Sequence, residues 1–171
     1  MKKDNWIYKV FLMTFFLSVI FSFISNEITS NANIFIMIII TFLVIVIGII
    51  FDMIGTASLT SNEATFHAKS SRKIKGAKES LNIIKNSVRV SSFCNDVVGD
   101  ICGIISGGMG AMVAIGLSNI IGNITISSIL VSSIISSLTV GGKAIFKRVA
   151  IKNCDTIVFL VGKLINVVKL K

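Results

Sequence analysis

Residues 34–51 read IFIMIIITFLVIVIGIIF, and Thr41 is the one polar side chain among them. About 18 or more apolar residues in a row are enough to cross a hydrocarbon core as a helix. Three further stretches repeat the signal in weaker form. Trp6–Ile24 is apolar with one charge, Lys9, near its start. Phe93–Leu117 is less apolar and carries Asn95, Asp96, Asp100 and many glycines. Ile124–Gly142 is apolar but striped with serine. None shows the strict polar–apolar alternation of a membrane β-barrel strand, so helices are expected. The fold class is therefore all-α, a polytopic membrane protein with four transmembrane helices and a juxtamembrane helical belt.

Composition supports this. The chain of 171 residues is 53% hydrophobic and 15% charged, with no proline, and its mean hydropathy is +0.88. Soluble domains are about 25% charged, and a soluble fold of this size could not bury so much apolar surface. The same numbers exclude intrinsic disorder.

Net charge is +9, from 17 Lys and Arg against 8 Asp and Glu. In a soluble protein that excess would suggest nucleic acid. Here the charges follow topology instead. Lys2, Lys3 and Lys9 precede or open the first span. The loop Ser25–Ala32 has Glu27 and no Lys or Arg. Gly55–Ser92 carries Lys69, Arg72, Lys73, Lys75, Lys78, Lys85 and Arg89, and Ser118–Asn123 is uncharged. The tail from Lys143 adds Lys147, Arg148, Lys152, Lys163, Lys169 and Lys171. Under the positive-inside rule both termini and the 55–92 segment are cytoplasmic. Lys2 and Lys3 ahead of a short apolar run also resemble a signal peptide, but Ser22-Phe23-Ile24-Ser25 is a poor cleavage site, so an uncleaved helix is expected.

Within the belt, Ala77, Leu81, Ile84 and Val88 recur on one helical face while Lys78, Lys85 and Arg89 lie mostly off it. This reads as an amphipathic helix on the membrane surface, its basic groups toward lipid phosphates. A shorter helix is expected over Ser61–Ser70, with Ser58 or Thr60 as N-cap and Glu63 in its first turn.

The ionisable residues of the spans are the candidate site. Asp52 ends the second span, Lys143 ends the fourth, and Asp96 and Asp100 share a face of the third at i, i+4. With the third span starting at Phe93, Asp100 would lie roughly 10 Å deep at about 1.5 Å per residue. A charge inside the bilayer costs at least about 2.5–3.5 kcal/mol and normally has a partner. Two readings stand. Lys143 pairs with Asp96 or Asp100, or the surplus carboxylates and Asn95 bind a hard cation such as Mg²⁺ through oxygen.

Gly99, Gly103 and Gly107 repeat every four residues, with Ser106, Gly110 and Ala114 beside them. Such rows let helices approach closely, and they imply that Asp96 and Asp100 point at a neighbouring helix. Ser128, Ser132, Ser136, Thr139 and Lys143 form a polar stripe expected to serve hydrogen-bonded packing. Enzyme signals are thin. His67 has no metal-spaced partners, no disulfide is expected among Cys94, Cys102 and Cys154, and no nucleotide or hydrolase motif occurs. An enzyme is not expected.

The order of elements resembles the transmembrane domain of the CorB/CorC-type and cyclin M magnesium transporters. Phe51-Asp52-Met53-Ile54-Gly55-Thr56-Ala57 is similar to their Ser/Glu-Thr-Ala motif. Gly76-Ala77-Lys78 and the helix to Arg89 resemble their basic belt. Ser91 to Asp100 resembles their Asn-bearing segment, with Asn95 matching. Gly142-Lys143-Ala144-Ile145-Phe146-Lys147 resembles their G-E-x-x-P-K motif. The resemblance implies that residues 1–33 are an added helix and outside loop. Residues 34–171 would be the transport domain, with spans 34–54, 93–117 and 124–142, belt 55–92 and basic tail 143–171. Several positions depart from the pattern. Lys143 replaces the Glu, Phe146 the Pro, Gly55 the Glu of the first motif, Asp52 a Ser, and Asp96 a second Asn. The chain ends before the CBS nucleotide-sensing domains common in that family, so regulation by ATP is not expected within it.

The expected function is divalent cation transport, Mg²⁺ first, in a bacterial inner membrane. The site would comprise Asp52, Asn95, Asp96 and Asp100, with Lys143 as gate or ion-pair partner. Membrane lipids and a homodimer or partner membrane protein are expected around it, and nucleic acid is not. The alternative is a non-transporting assembly or immunity-type subunit that uses an Asp–Lys lock. A holin-like pore is less favoured, because pores of that kind seldom need intramembrane acids.

Overall fold

The computed structural model describes residues 5–30 and 33–169. Lys2, Lys3, Ala32 and Lys171 lie outside the described residues, as do the side chains of Trp6 and Lys169. No strand occurs among the described residues. The elements are α1 (Asn5–Ser30), α2 (Ile34–Thr60), α3 (Glu63–Ser71), α4 (Ala77–Lys85) and α5 (Ser87–Ser91). A π-helix (Ser92–Gly99) follows, then α6 (Asp100–Ile121), α7 (Ile124–Lys152) and α8 (Cys154–Lys169). Four stretches are long and apolar enough to cross a membrane: Tyr8–Ser25, Ile34–Thr60, Ser87–Ile121 and Ile124–Lys152. The chain is a multi-pass α-helical membrane protein.

The spans exceed their expected edges. α2 runs past Phe51 to Thr60, and α7 runs through Gly141-Gly142-Lys143 to Lys152 without a break. No proline stops either helix. At 1.5 Å per residue each measures about 40 Å or more, against a hydrocarbon core of about 30 Å.

The fold divides into two compact units: Met1–Ile49 with Val97–Gly142, and Ile50–Asp96 with Lys143–Lys171. In the first, α1 packs beside α6. Met37, Val113, Ala114 and Val131 form a core joining α2, α6 and α7. Buried Thr41 donates its hydroxyl to Met37 O at 2.7 Å, so the one polar side chain of the decisive run is satisfied within its own helix. The α6–α7 connection is two residues. Gly122 closes α6 at φ +79, a left-handed cap that glycine adopts freely, and Asn123 Oδ1 caps α7 by accepting from Thr125 N and Ile126 N. The expected loop of Ser118–Asn123 thus shrinks to its last two residues.

Two packing expectations are corrected here. Gly103 and Gly107 face open space, whereas Ser106, Gly110 and Ala114 are the buried row, and a Cβ on Gly110 would overlap Ile135. Ser128, Ser132 and Ser136 are exposed rather than packed. Ser132 Oγ bonds back to Ser128 O at 2.7 Å within α7, and the fully buried serine is Ser127. The exposed serines line a groove of about 320 Å³ with Gly107 and Ala111.

The second unit has its own core of Ala57, Phe66, Ile83, Ile84, Ala150, Ile157 and Val158. It holds fourteen of the 17 Lys and Arg and five of the 8 Asp and Glu, so the whole net charge of +9 resides in it. α3 starts at Glu63, not Ser61, and its cap is Asn62, whose Oδ1 accepts from Ala64 N. Ser58 and Thr60 are instead inside α2, bonded to Gly55 O and Thr56 O. The amphipathic helix is real but differently employed. α4 packs against α3 and α8, burying Ala77, Ser80, Ile83 and Ile84. Asn86 ends it, and Val88, expected on the apolar face, is 72% exposed. The expected basic tail is likewise helical in its described part, broken only by a turn at Asn153. The end of α7 contributes Ala150 to the core, and α8 contributes Ile157 and Val158.

Candidate functional site

The sequence places its candidate ligands near one end of the spans, and helix lengths sharpen that position. A hydrocarbon core takes about 20 residues of helix. Counted from Ile34 these reach Met53, from Ile124 they reach Lys143, and back from Ile121 they reach Cys102. On this count Asp52, Asp100 and Lys143 each fall at or within two residues of the end of its own span. Asp100 opens α6, directly after the π-helix, within the longer apolar stretch Ser87–Ile121.

Asp52, Asn95, Asp96 and Lys143 belong to the second unit, and Asp100 to the first. Asp52 and Lys143 are partly exposed, while Asp96 and Asp100 are exposed. The acids therefore do not bury themselves against a neighbouring helix of this chain. The shared i, i+4 face assumed α-helix throughout, but Asp96 lies in a π-helix, where i→i+5 bonding widens each turn. Among the described residues, Lys143 lies within ion-pair distance of neither Asp52 nor Asp96. Nor do three His, Cys, Asp or Glu side chains gather closely enough there to hold a metal ion.

Asn95 behaves differently. It stands in the π-helix directly against α2. A Cβ on Gly55 would overlap Asn95 Oδ1 and lie 2.9 Å from Asn95 Cγ and 3.2 Å from Cys94 Cβ. The amide nitrogen donates to Ser91 Oγ at 3.3 Å. The amide oxygen is buried and has no hydrogen-bond partner among the described residues. A buried polar atom without a partner costs about 1–3 kcal/mol. Around it Thr56, Ala57 and Ser58 are buried as well. The two segments that carry the family resemblance, around Gly55 and around Asn95, thus meet in one unit.

The sequence offered no sign of the π-helix, which runs over eight residues and places Asn95 near its middle. π-helical turns inside α-helices occur frequently at functional sites. His67 is a surface residue of α3, 3.1 Å from Glu63, and no disulfide joins the cysteines among the described residues. No protein-family model, curated protein or solved structure matches the chain.

Proposed function

We propose that the protein passes a hard divalent cation, Mg²⁺ first, across the bacterial inner membrane, with both termini cytoplasmic. One observation carries this reading: the buried, unpartnered Asn95 Oδ1 in a π-helix against the Gly55 backbone. An amide oxygen is a hard, neutral donor of the kind that suits Mg²⁺ and Ca²⁺. Asp52 and Asp96 in the same unit supply negative charge, and Lys143 competes with the cation or gates its entry. Mg²⁺ keeps several of its waters and needs only one or two protein carboxylates, so a site without three converging acids is compatible with it.

The test is flux. Proteoliposomes of the full chain are loaded with a Mg²⁺-sensitive dye and challenged with external Mg²⁺. Entry faster than in empty liposomes, lost in Asn95→Ala at equal insertion, is the expected outcome. Entry no faster than in empty liposomes overturns the reading. The assembly or immunity-type subunit is then favoured, and the exposure of Asp96 and Asp100 is the observation on its side, because such acids are free for a partner helix.

A further inference from the structure

The second unit carries a cluster of cations that cation passage does not use. Lys69 Nζ of α3 lies 5.0 Å from the Phe66 ring centroid and 4.8 Å from that of Phe159. Lys163 Nζ of α8 lies 4.8 Å from the same Phe159 ring. Two ammonium groups far apart in sequence therefore share one aromatic ring. Neither has a carboxylate within ion-pair distance among the described residues. Cation–π contact contributes only about 0.5–1 kcal/mol at exposed sites, too little to explain gathering like charges with no anion between them.

The gathering is built into the backbone. At Gly76 the chain turns into α4 at φ +88, and a Cβ there would lie 2.9 Å from Lys163 N and Cα. On the facing helix a Cβ at Gly162 would overlap Ser80 Oγ and lie 2.6 Å from Gly76 O. Ser80 Oγ, held between Gly76 O and Val158 O at 2.8 and 3.2 Å, locks the crossing. Lys163 is thereby fixed beside the turn that follows Lys69. That turn is a Schellman closure, with Ile74 N on Lys69 O and Lys73 N on Ser70 O. Its left-handed position, normally glycine, is Lys73 at φ 54. A third cation is thus held in this turn at a backbone cost.

Beside the cations runs an apolar row. Leu160 and Leu164 of α8 are 54% and 66% exposed, one position on from Phe159 and Lys163. The opposite side of the helix is buried at Val158 and Gly162. Cations flanked by an exposed aliphatic row fit a ligand with a phosphate at one end and a hydrocarbon at the other. Free phosphate or a nucleic acid leaves the leucines uncovered. α3, which carries Lys69, begins at Glu63, two residues beyond the end of α2 at Thr60.

We infer that Lys69, Lys73 and Lys163 form a headgroup site for an anionic phospholipid, its acyl chain lying along Leu160 and Leu164. The face that meets lipid is then the outer side of α8, not the buried face of α4.

The test is thermal unfolding of the full chain in dodecyl maltoside against added dioleoyl phosphatidylglycerol, with dioleoyl phosphatidylcholine and soluble glycerol 3-phosphate as parallel probes. A saturable rise in Tm with phosphatidylglycerol alone is expected. Its half-saturation should weaken by about tenfold or more in Lys69→Gln/Lys163→Gln. It should hold in Lys69→Arg/Lys163→Arg, which also shows that the pair tolerates substitution. Lys78→Gln/Lys85→Gln, with the same loss of charge outside the cluster, should leave it unchanged, and Leu160→Gln/Leu164→Gln should weaken it at constant charge. Equal loss in the Lys78/Lys85 pair, or an equal shift with phosphatidylcholine, overturns the site. An equal shift with glycerol 3-phosphate overturns the lipid assignment.

Discussion

Replacing Asn95 by alanine separates a ligand from a structural amide. The oxygen removed is buried and unpartnered, so its loss relieves about 1–3 kcal/mol of desolvation penalty. The nitrogen removed makes one long contact, 3.3 Å to Ser91 Oγ, and contributes about 0.5–1 kcal/mol. The missing heavy atoms leave a small cavity that offsets about 1 kcal/mol more. The sum lies between about 1 kcal/mol of destabilisation and about 1.5 kcal/mol of stabilisation, so Tm moves by no more than about 3–6 °C in either direction in a chain of this length. The assay is thermal unfolding in detergent, first with chelator and then across a Mg²⁺ titration. Wild type is expected to gain about 2.7 kcal/mol at a hundredfold excess over its dissociation constant. Asn95→Ala is expected to gain nothing from Mg²⁺ while starting within about 3–6 °C of wild type. A variant that melts well below wild type in chelator refutes the reasoning, because it shows that the amide was already satisfied.

Three further outcomes are expected. Gly162→Ala should destabilise by about 3 kcal/mol or more, since the new Cβ meets Gly76 O and Ser80 N, backbone that cannot move aside; equilibrium unfolding of the variant measures it. Lys73→Gly should stabilise by about 1 kcal/mol, because a left-handed residue is strained unless it is glycine, yet it should weaken the phosphatidylglycerol-induced rise in Tm. A fluorescent-protein fusion after Lys171 should fluoresce in a bacterial host while an alkaline phosphatase fusion there stays inactive; the reverse pattern inverts the assigned topology.

The spans were legible because a bilayer imposes one crude rule, length of apolar run, and IFIMIIITFLVIVIGIIF satisfies it unaided. What failed was inference about faces. The row Ala77, Leu81, Ile84 and Val88 correctly signalled an amphipathic helix, but amphipathicity does not say whether lipid or protein covers the apolar side. Here α3 and α8 cover it. The small-residue rows were equally ambiguous, because Gly103 and Ser106 satisfy the same four-residue spacing and only packing decides which is buried. The π-helix was invisible, since a change in hydrogen-bond period leaves no compositional trace, and it altered where Asp96 points. The basic cluster was visible only as scattered charge. Lys69 and Lys163 are brought together by Gly76 and Gly162, whose role appears only when the two helices cross.

The same close approach bears on Gly55. No side chain at that position coexists with Asn95 as it lies, because even a Cβ meets the amide. Gly55 and Asn95 are therefore coupled, and the lack of a side chain at 55 is the condition for the amide to close on α2. Gly55→Ala alone should cost about 1–3 kcal/mol by overpacking. Combined with Asn95→Ala, the overlap with the amide disappears and only the 3.2 Å approach to Cys94 Cβ remains, so the double variant should recover most of that loss. Contacting residues typically show interaction energies of about 0.5–3 kcal/mol in such cycles. Additive effects within about 0.5 kcal/mol would mean that the two segments do not touch. The oxygen proposed to meet the cation would then lack the α2 backbone that buries it.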